Sequence, residues 1–298
     1  MSTERRNPRS VDIDLFGTER ILRTINSEDA QVAAAVGVSI SEIAKVVEAA
    51  VKSLQAGGRM IYVGAGTSGR LAVLDAAEIP ATFSAPPGWV QAVLAGGAKA
   101  FNKAQEGSED DDQKAAADLK SKRITHKDIV AGVSASGATP YTLAALDYAK
   151  SKGAVTVAIV CAPNSPMAKV ADISVCINVG PEIITGSTRL KAGTAQKMVL
   201  NMISTATMIR LGMTHSNWMI NVAMTNHKLR ERGVHILQEI LGIEKDEAAR
   251  LAKAAGGKLK VAVAMGATGC DRKDAETRLD KAKGNLRAVL GHSGGGRG

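Results

Sequence analysis

The stretch YVGAGTSGR, residues 62–70, is the part of the sequence that decides the fold. The apolar residues 60–63 predict a short buried strand, and residues 70–78 are compatible with a helix. Between them lie glycines and two hydroxyl residues, Thr67 and Ser68. A strand, a Gly/Ser/Thr turn and a helix N-terminus predict an anion site, because backbone N–H groups point outward and the helix dipole favours negative charge.

The glycine spacing of this loop bears on the kind of anion that it binds. No lysine follows the last glycine, so the loop does not have the pattern of a nucleotide P-loop. Gly64, Gly66 and Gly69 match the spacing of the dinucleotide motif, but the next predicted strand, residues 90–94, is followed by Ala-Gly-Gly and not by an acidic residue. A small phosphorylated ligand is therefore the favoured interpretation.

The composition favours one class of protein and disfavours several others. The 298 residues are 45% hydrophobic but only 3% aromatic, which is typical of an Ala/Val/Ile-rich α/β protein with one large domain and a smaller appendage. The apolar runs are shorter than a membrane span, and the N-terminus lacks the apolar core of a signal peptide. Cys161, Cys176 and Cys270 have no metal-ligand spacing, so we expect buried thiols, a cytoplasmic protein and no membrane partner.

The formal charge of +9 raises the alternative of nucleic-acid binding. The basic residues of the C-terminal region stand beside acidic neighbours along helical patterns, and no aromatic stacking platform or helix-turn-helix pattern accompanies them. A solvated basic face is therefore favoured, and no nucleic-acid partner is expected.

Strand and helix patterns alternate through the middle of the chain. A helix is predicted to start at residues 27–29, and another runs from near Ser41 to Gly57. The later patterns predict strands at 60–63, 90–94, 129–133, 155–161 and 173–179, and helices after Ser68, at 109–120, at 140–152, near Met167 and at 192–211. Helical patterns at 228–241, 245–255, 258–265 and 274–282 then precede a tail, GHSGGGRG, that is expected to be flexible.

This order predicts the α/β fold class: a five-stranded parallel sheet sandwiched by helices, with a small all-helical C-terminal domain. We expect the division to be N-terminal helices at 1–56, a phosphosugar-binding domain at 57–220, and the C-terminal helical domain with its tail at 221–298.

Three hydroxyl-rich segments are candidates for the binding site: GAGTSG (64–69), SASGATP (134–140) and TGSTRLKAGTAQK (185–197). Ligands of open parallel sheets bind beyond the carboxyl ends of the strands, where all three segments are expected to fall. The first two segments directly follow predicted strands, and the third precedes the long helix. Each segment alone also fits an ordinary turn with capping hydroxyls, but together they predict a phosphosugar cradle. The candidate binding residues are Gly66, Thr67, Ser68, Gly69, Ser134, Ser136, Thr139, Ser187 and Lys191.

Two glutamates stand out near these segments. Glu78 lies in DAAEIPA, where the alternative is an exposed glutamate at a helix end. Glu109 follows Glu-Gly-Ser and precedes three aspartates, and this pattern by itself favours an acidic first turn that complements a helix dipole. The histidines show no pairing that would indicate a metal site or catalysis.

Longer motifs carry a resemblance to a known family. GAGTSGRLAVLDAAEIPATF, AQEGSEDD, SASGATPYTLAALDYA and TGSTRLKAGTAQKMVLNMIST resemble the N-acetylmuramic acid 6-phosphate etherases, bacterial enzymes of the sugar isomerase (SIS) superfamily. The resemblance extends from about Asn7 into the C-terminal helices. It implies the SIS fold, a small phosphorylated amino sugar as ligand, and a homodimer with sites near the subunit interface.

The resemblance also implies an activity and two catalytic residues. The family cleaves the D-lactyl ether of N-acetylmuramic acid 6-phosphate, without a metal or organic cofactor, by elimination followed by hydration. By motif match, Glu78 is the acid that protonates the leaving lactate and Glu109 is the base that takes the proton from C2. These assignments replace the structural interpretations of both residues.

The sequence departs from the family pattern at one position. Ala138 stands where the family commonly has arginine, which changes the source of positive charge near the site.

The same superfamily supplies alternative functions. A non-catalytic phosphosugar-sensing regulator of the glucokinase-regulatory type would need the cradle but not two working carboxyl groups. A sugar isomerase or a transcriptional regulator is a further alternative, but the sequence shows neither a residue placed for ring opening nor an N-terminal DNA-binding helix pair.

Overall fold

The computed structural model describes residues 4–103, 105–222, 224 and 226–291. These residues form two compact units. The first comprises the described residues up to Ala77 together with those in Gly88–Thr207, and the second comprises Glu78–Pro87 and the described residues from Met208 onward. The predicted three-part division at 56/57 and 220/221 stays a prediction, and the expected flexible tail lies, apart from Gly291, outside the described residues.

A five-stranded parallel sheet forms the centre of the first unit, as predicted. Its strands lie in the order β2-β1-β3-β4-β5. Every residue of β1 and β3 is buried, which is typical of a parallel sheet with both faces covered. The strands are β1 (Met60–Gly64), β2 (Val90–Leu94), β3 (Ile129–Ser134), β4 (Val155–Val160) and β5 (Ile173–Cys176).

Helices precede the sheet and connect its strands. The periodic apolar residues predicted for the helix near Ser41 are buried in α3, including Ile43, Val46 and Val47. After 3-10 turns at Pro8–Ser10 and Ile13–Leu15, the helices are α1 (Thr18–Asp29), α2 (Val32–Gly37), α3 (Ile40–Gln55), α4 (Gly66–Phe83), α5 (Lys99–Asn102), α6 (Asp112–Ser121), α7 (Pro140–Ser151), α8 (Pro166–Val170) and α9 (Lys191–Arg210).

Two predicted helix starts are wrong. Residues 27–29 are the end of α1, and the acidic residue Glu28 is buried in its last turn. The helix predicted to start at Glu109 begins instead at Asp112, because the side chain of Asp111 accepts a hydrogen bond from the Lys114 N–H and caps it. Glu109 therefore lies in the turns before the helix.

Most of the second unit is helical, and its core consists of small and aliphatic side chains such as Ala262 and Leu237. The four predicted helical patterns correspond to four helices, with ends that differ by at most three residues. The sequence did not predict a short antiparallel ribbon or a last short helix. The elements are β6 (Thr214–His215), β7 (Trp218–Met219), α10 (His227–Leu241), α11 (Lys245–Ala254), α12 (Leu259–Thr268), α13 (Arg272–Lys281) and α14 (Leu286–Val289).

Among the described residues, no single helix is long and apolar enough to cross a membrane. One bent pair, Thr18–Gly37 with Ile40–Gln55, meets the length and composition requirement only when its two parts are taken together.

An ion pair between a buried carboxylate and a half-buried guanidinium joins the starts of β1 and β3. The Asp128 carboxylate accepts hydrogen bonds from the Arg59 backbone N–H at 2.9 Å, from the Arg59 guanidinium at 2.8 and 3.0 Å, and from the Thr125 N–H at 2.8 Å. Burial acts to raise the pKa of Asp128, but the hydrogen bonds and charge of Arg59 outweigh it, so the pKa lies below its ordinary value.

We expect Asp128→Ala to lower the free energy of unfolding at pH 7 by about 2 kcal/mol, because it removes the charge-assisted hydrogen bonds from Arg59 and leaves the Thr125 N–H without its acceptor. A group with a lowered pKa stabilises the fold above the ordinary carboxyl pKa and loses this effect as the pH falls. The difference between parent and variant, measured by urea unfolding, should therefore shrink below about pH 4. An equal difference at pH 3 and pH 7 would contradict the role of this ion pair.

Candidate functional site

The sheet order creates a crevice between β1 and β3. β2 lies on one side of β1, and β4 lies on the far side of β3, so the direction of strand succession reverses between β1 and β3. Gly64 at the end of β1 is opposite Val133 near the end of β3. In open parallel sheets such a switch point is where ligands bind, and the first two hydroxyl-rich segments follow these two strands.

The first segment is the start of α4, which begins earlier than predicted. Gly66, Thr67, Ser68 and Gly69 form its first turn. The first N–H groups of a helix have no acceptor within the helix, although the Gly69 N–H already donates to the Ala65 carbonyl at 3.0 Å. Gly69 permits close packing against the sheet, because a Cβ there would lie only 2.5 Å from the Gly64 carbonyl oxygen.

The second segment forms a compact set of hydroxyl groups after β3. Ser134 Oγ lies 2.8 Å from Thr139 Oγ1 and 3.3 Å from Ser136 Oγ. The Gly137 N–H donates to Ser134 Oγ at 3.1 Å, and the Ala138 N–H donates to Ser136 Oγ at 3.2 Å. Ser134 is buried, whereas Ser136, Ala138 and Thr139 are half-buried. Ser136 and Thr139 therefore have surface for a ligand, and residue 138 supplies no charge.

The third segment approaches the first at the start of α9. Ser68 Oγ donates to Gln196 Oε1 at 2.9 Å. A Cβ on Gly193 would lie 3.7 Å from the Thr67 Cγ2 atom, so the first turns of α4 and α9 are in close contact.

The third segment also packs against the second. Ala192 at the start of α9, Ala135 of the second segment and Cys161 form one buried cluster. The three predicted segments therefore converge within the first unit.

The N-terminus of α9 is occupied by a carboxylate of the protein itself. Glu182, which is fully buried, accepts hydrogen bonds from the Lys191 N–H at 3.0 Å and the Ala192 N–H at 2.9 Å. Burial raises the pKa of Glu182, against the opposing effect of these two N–H groups. A negative group at this position offsets the positive end of the helix dipole.

Lys191 is engaged in a second buried interaction. Its Nζ atom lies 2.6 Å from a Glu28 carboxylate oxygen, which also accepts from the Asn7 side chain at 2.8 Å. Burial acts to raise the pKa of Glu28, but the hydrogen bonds from Lys191 and Asn7 outweigh it and lower that pKa. Ser187 is half-buried in the loop before α9. The assignments of Lys191 and Ser187 to phosphate binding stay predictions.

Glu109 lies beside the second segment. Its backbone carbonyl accepts a hydrogen bond from the Tyr141 N–H at 3.0 Å, two residues after Thr139. The Tyr141 hydroxyl donates to Asp118 Oδ2 at 2.7 Å and ties α6 to α7. The Glu109 side chain is exposed and lies in the first unit with the three segments.

Glu78 is exposed on α4, at the residue where the chain passes into the second unit. The three segments and Glu109 belong to the first unit, and Glu78 belongs to the second. The role of each glutamate stays a prediction.

The N-termini of α4, α7 and α9 differ in whether their backbone N–H groups already have acceptors in the protein. Glu182 caps α9, and the Glu109 carbonyl accepts the Tyr141 N–H at the start of α7. Within the described residues, no carbonyl or carboxylate of the protein accepts from the Thr67 or Ser68 N–H groups of α4. The start of α4 is therefore the terminus best suited to an external anion.

Sequence reasoning missed the buried polar residues that support these segments. Gln196, Glu182 and Glu28 occupy key positions, but each stands in an ordinary helical or loop context. Asp75 also accepts hydrogen bonds from Asn201 Nδ2 at 2.6 Å and from Ser204 Oγ at 3.0 Å, and burial raises its pKa. Among the described residues, no group of three or more His, Cys, Asp or Glu could hold a metal ion.

Two family models and several solved structures match parts of this chain. Residues 42–150 match the glucokinase regulatory protein N-terminal SIS domain, and residues 111–206 match the SIS domain. A phosphoheptose isomerase from Francisella tularensis has a TM-score of 0.52 at 16% identity, covering 64% of this chain and 98% of its own. A protein from E. coli has a TM-score of 0.50 at 21% identity, covering 68% of this chain and 97% of its own. The fold and its switch-point crevice are those of a SIS-domain protein.

Curated relatives extend the match to nearly the whole chain. The N-acetylmuramic acid 6-phosphate etherase of Geobacillus thermodenitrificans is 47% identical over 97% of this chain and 98% of its own. The etherases of Pseudoalteromonas atlantica and Salmonella enteritidis PT4 are 47% and 46% identical over 97% of this chain, and 94% and 98% of theirs. The chain belongs to the N-acetylmuramic acid 6-phosphate etherase family.

Proposed function

We propose that this protein is a carbon–oxygen lyase that converts N-acetylmuramic acid 6-phosphate to N-acetylglucosamine 6-phosphate and D-lactate. The convergence of three hydroxyl-rich segments beside Glu109, at the switch point of the sheet, is the observation that carries the proposal. The relatives that match the chain over most of its length bear the name of this activity. We place the reaction in the cytoplasm, in cell-wall sugar recycling or catabolism.

The sugar phosphate is proposed to bind at the start of α4. The N–H groups of Gly66, Thr67 and Ser68 and the Ser68 hydroxyl supply donors there, and the glycines leave room for the ligand. Ser136 and Thr139, supported by Ser134, supply hydroxyl groups from the neighbouring strand end. Ser187 and Lys191 are the remaining proposed phosphate-binding residues. Gly69 is included because its lack of a side chain lets the start of α4 pack closely against the end of β1.

Two carboxyl groups are proposed to act as the base and the acid of the reaction. The Glu109 carboxylate first takes the proton from C2 of the open-chain sugar, and the electron pair is held in the resulting enolate of the aldehyde. Collapse of the enolate then forms the C2–C3 double bond and breaks the C3–O bond, while Glu78 gives its proton to the departing lactate oxygen. In the hydration step the hydroxyl of a water molecule adds to C3 of the unsaturated aldehyde and a proton returns to C2. No cofactor enters these steps.

A phosphosugar sensor is the second candidate, because residues 42–150 match a regulatory protein's SIS domain. The two functions differ in turnover. Purified protein incubated with N-acetylmuramic acid 6-phosphate should release D-lactate, measured with D-lactate dehydrogenase. Tight binding of the phosphosugar without release of lactate would favour the sensor.

We expect Ser68→Ala to raise KM for the phosphorylated sugar by about 10-fold or more with a small change in kcat, because hydrogen bonds to charged groups are strong. Initial-rate kinetics would measure both constants. Ser151→Ala, which removes an exposed hydroxyl at the end of α7, is the matched control. A KM equal to that of the parent would mean that Ser68 does not bind the phosphate.

A homodimer is proposed from the apolar surface of the N-terminal segment. Its exposed apolar residues are Val11, Leu15, Leu22, Val38 and Ile40, with Leu15 79% and Val38 84% exposed. We take these side chains to form one patch, because contiguous exposed apolar patches mark protein interfaces.

We expect Leu15→Asp combined with Val38→Asp to convert the dimer to a monomer, because it places two charges on the apolar surface. Light scattering coupled to size-exclusion chromatography would give the molar mass. Ser27→Asp adds a charge at an exposed polar position of α1 and should leave the mass unchanged. A dimer that survives the double substitution would place the interface elsewhere.

A further inference from the structure

Gln196 is a buried amide with one satisfied end and one unsatisfied end. The side chain is 1% exposed, and its Oε1 atom accepts the Ser68 hydroxyl at 2.9 Å. Its Nε2 atom is buried and has no acceptor among the described residues. An unpaired buried NH₂ group costs folding free energy, so a buried glutamine with this hydrogen-bonding pattern indicates a functional role.

The direction of the Ser68–Gln196 hydrogen bond decides what Ser68 can do. A serine hydroxyl has one proton, and a phosphate dianion only accepts hydrogen bonds. While Ser68 donates to Gln196, that proton cannot be given to a phosphate. Rotation of the amide by half a turn about its Cγ–Cδ bond would let Nε2 donate to Ser68 Oγ and release the serine proton.

The reversed arrangement also leaves a more tolerable group unpaired. It exchanges an unpaired buried NH₂ for an unpaired buried carbonyl, and unpaired carbonyls are tolerated more often than unpaired N–H groups. A glutamine can adopt both arrangements because its two ends have nearly the same shape. A glutamate could only accept, so it would hold the Ser68 proton and add negative charge beside the phosphate.

The rest of α9 fixes Gln196 independently of any ligand. The pairs Ser68–Gln196 and Asp75–Asn201 advance in the same direction, so α4 and α9 run parallel with their N-termini together. The amide is therefore presented to Ser68 by a packed helix and not by a loop.

We propose that Gln196 is a positioning residue that donates to Ser68 when the crevice holds an anionic phosphate, and so directs the serine proton to a phosphate oxygen. The proposal rests on the proposed function, because it takes the ligand to be a sugar phosphate. Its distinctive consequence is that Gln196 acts through Ser68.

Binding of N-acetylglucosamine 6-phosphate, measured by isothermal titration calorimetry, tests this consequence. We expect Gln196→Met, which keeps the length and removes both polar ends, to weaken binding by about 10-fold or more. Gln196→Glu should weaken it further. In the Ser68→Ala background, Gln196→Met should have little additional effect, as the double-mutant cycle of a coupled pair requires. The kcat of Gln196→Met should stay near that of the parent.

Ser204→Ala is the matched control, because it removes a buried hydrogen bond between the same two helices away from the crevice. It should lower the melting temperature without weakening phosphosugar binding. Parent-like binding by Gln196→Met, or equal losses in the parent and Ser68→Ala backgrounds, would overturn the inference.

The result also separates this inference from the etherase proposal. Lactate release by the parent, together with parent-like binding by Gln196→Met, would overturn the role of Gln196 alone. If Gln196→Met weakened binding only while Ser68 was present, and the parent released no lactate, the etherase proposal alone would be overturned. A parent that neither binds the phosphosugar nor releases lactate would overturn both.

Discussion

Replacement of Glu109 by glutamine should abolish lactate release and also the exchange of the C2 proton with solvent deuterium. The amide cannot take a proton, and in the proposed reaction removal of the C2 proton precedes every later step. General acid–base groups contribute about 10²–10⁴-fold to rates, so the loss should be unmistakable. Lactate assays and the appearance of deuterium at C2 by NMR would measure the two effects.

The matched control for Glu109→Gln is Glu106→Gln, an exposed glutamate three residues earlier. It should retain lactate release and exchange. Glu109→Gln should still bind the phosphosugar, since the proposed phosphate ligands lie on other residues. Lactate release at the parental rate by Glu109→Gln would exclude it as the base.

Replacement of Glu78 by glutamine should separate the two steps. Without the acid, the lactate oxygen departs as a poor leaving group, and lactate release should fall by about 10²–10⁴-fold. Abstraction of the C2 proton does not need Glu78, so deuterium exchange at C2 should continue. The same assays as for Glu109 apply.

The pattern across the two variants carries more information than either rate alone. If Glu78→Gln lost exchange as fully as Glu109→Gln, the two residues could not have separate roles as acid and base. If Glu78→Gln released lactate like the parent, another group would be the acid.

The sequence predicted the sheet because its strands are continuous apolar runs bounded by turns. Residues such as Val63 and Val133 are fully buried in such runs, and the shortness of the runs and the turns that bound them indicate strands and not helices. The convergence of the first two segments followed from parallel strand topology, because β1 and β3 end at the same edge of the sheet.

The errors came from acidic residues whose partners are remote in sequence. Glu28 resembles a first-turn acid, but it pairs with Lys191 and Asn7 in a buried cluster. Glu109 precedes three aspartates, and the cap is Asp111, so the helix starts later than the acidic run suggests. A local pattern contains no information on a contact across 163 residues.

Gln196 shows a different limit of the sequence. It lies within a segment that was already a candidate, but nothing in AGTAQK distinguishes a buried hydrogen-bonding partner of Ser68 from a surface glutamine. The relation became visible only when α4 and α9 were found side by side.

The oxygen isotope distribution after reaction in ¹⁸O-labelled water tests the central proposal most directly. The proposed route breaks the bond between C3 of the sugar and the ether oxygen, and water then adds to C3. Mass spectrometry should therefore find ¹⁸O at the C3 hydroxyl of N-acetylglucosamine 6-phosphate and none at the hydroxyl of D-lactate. Label in the lactate hydroxyl, or no lactate at all, would contradict the proposal that this chain is an etherase acting by elimination and hydration.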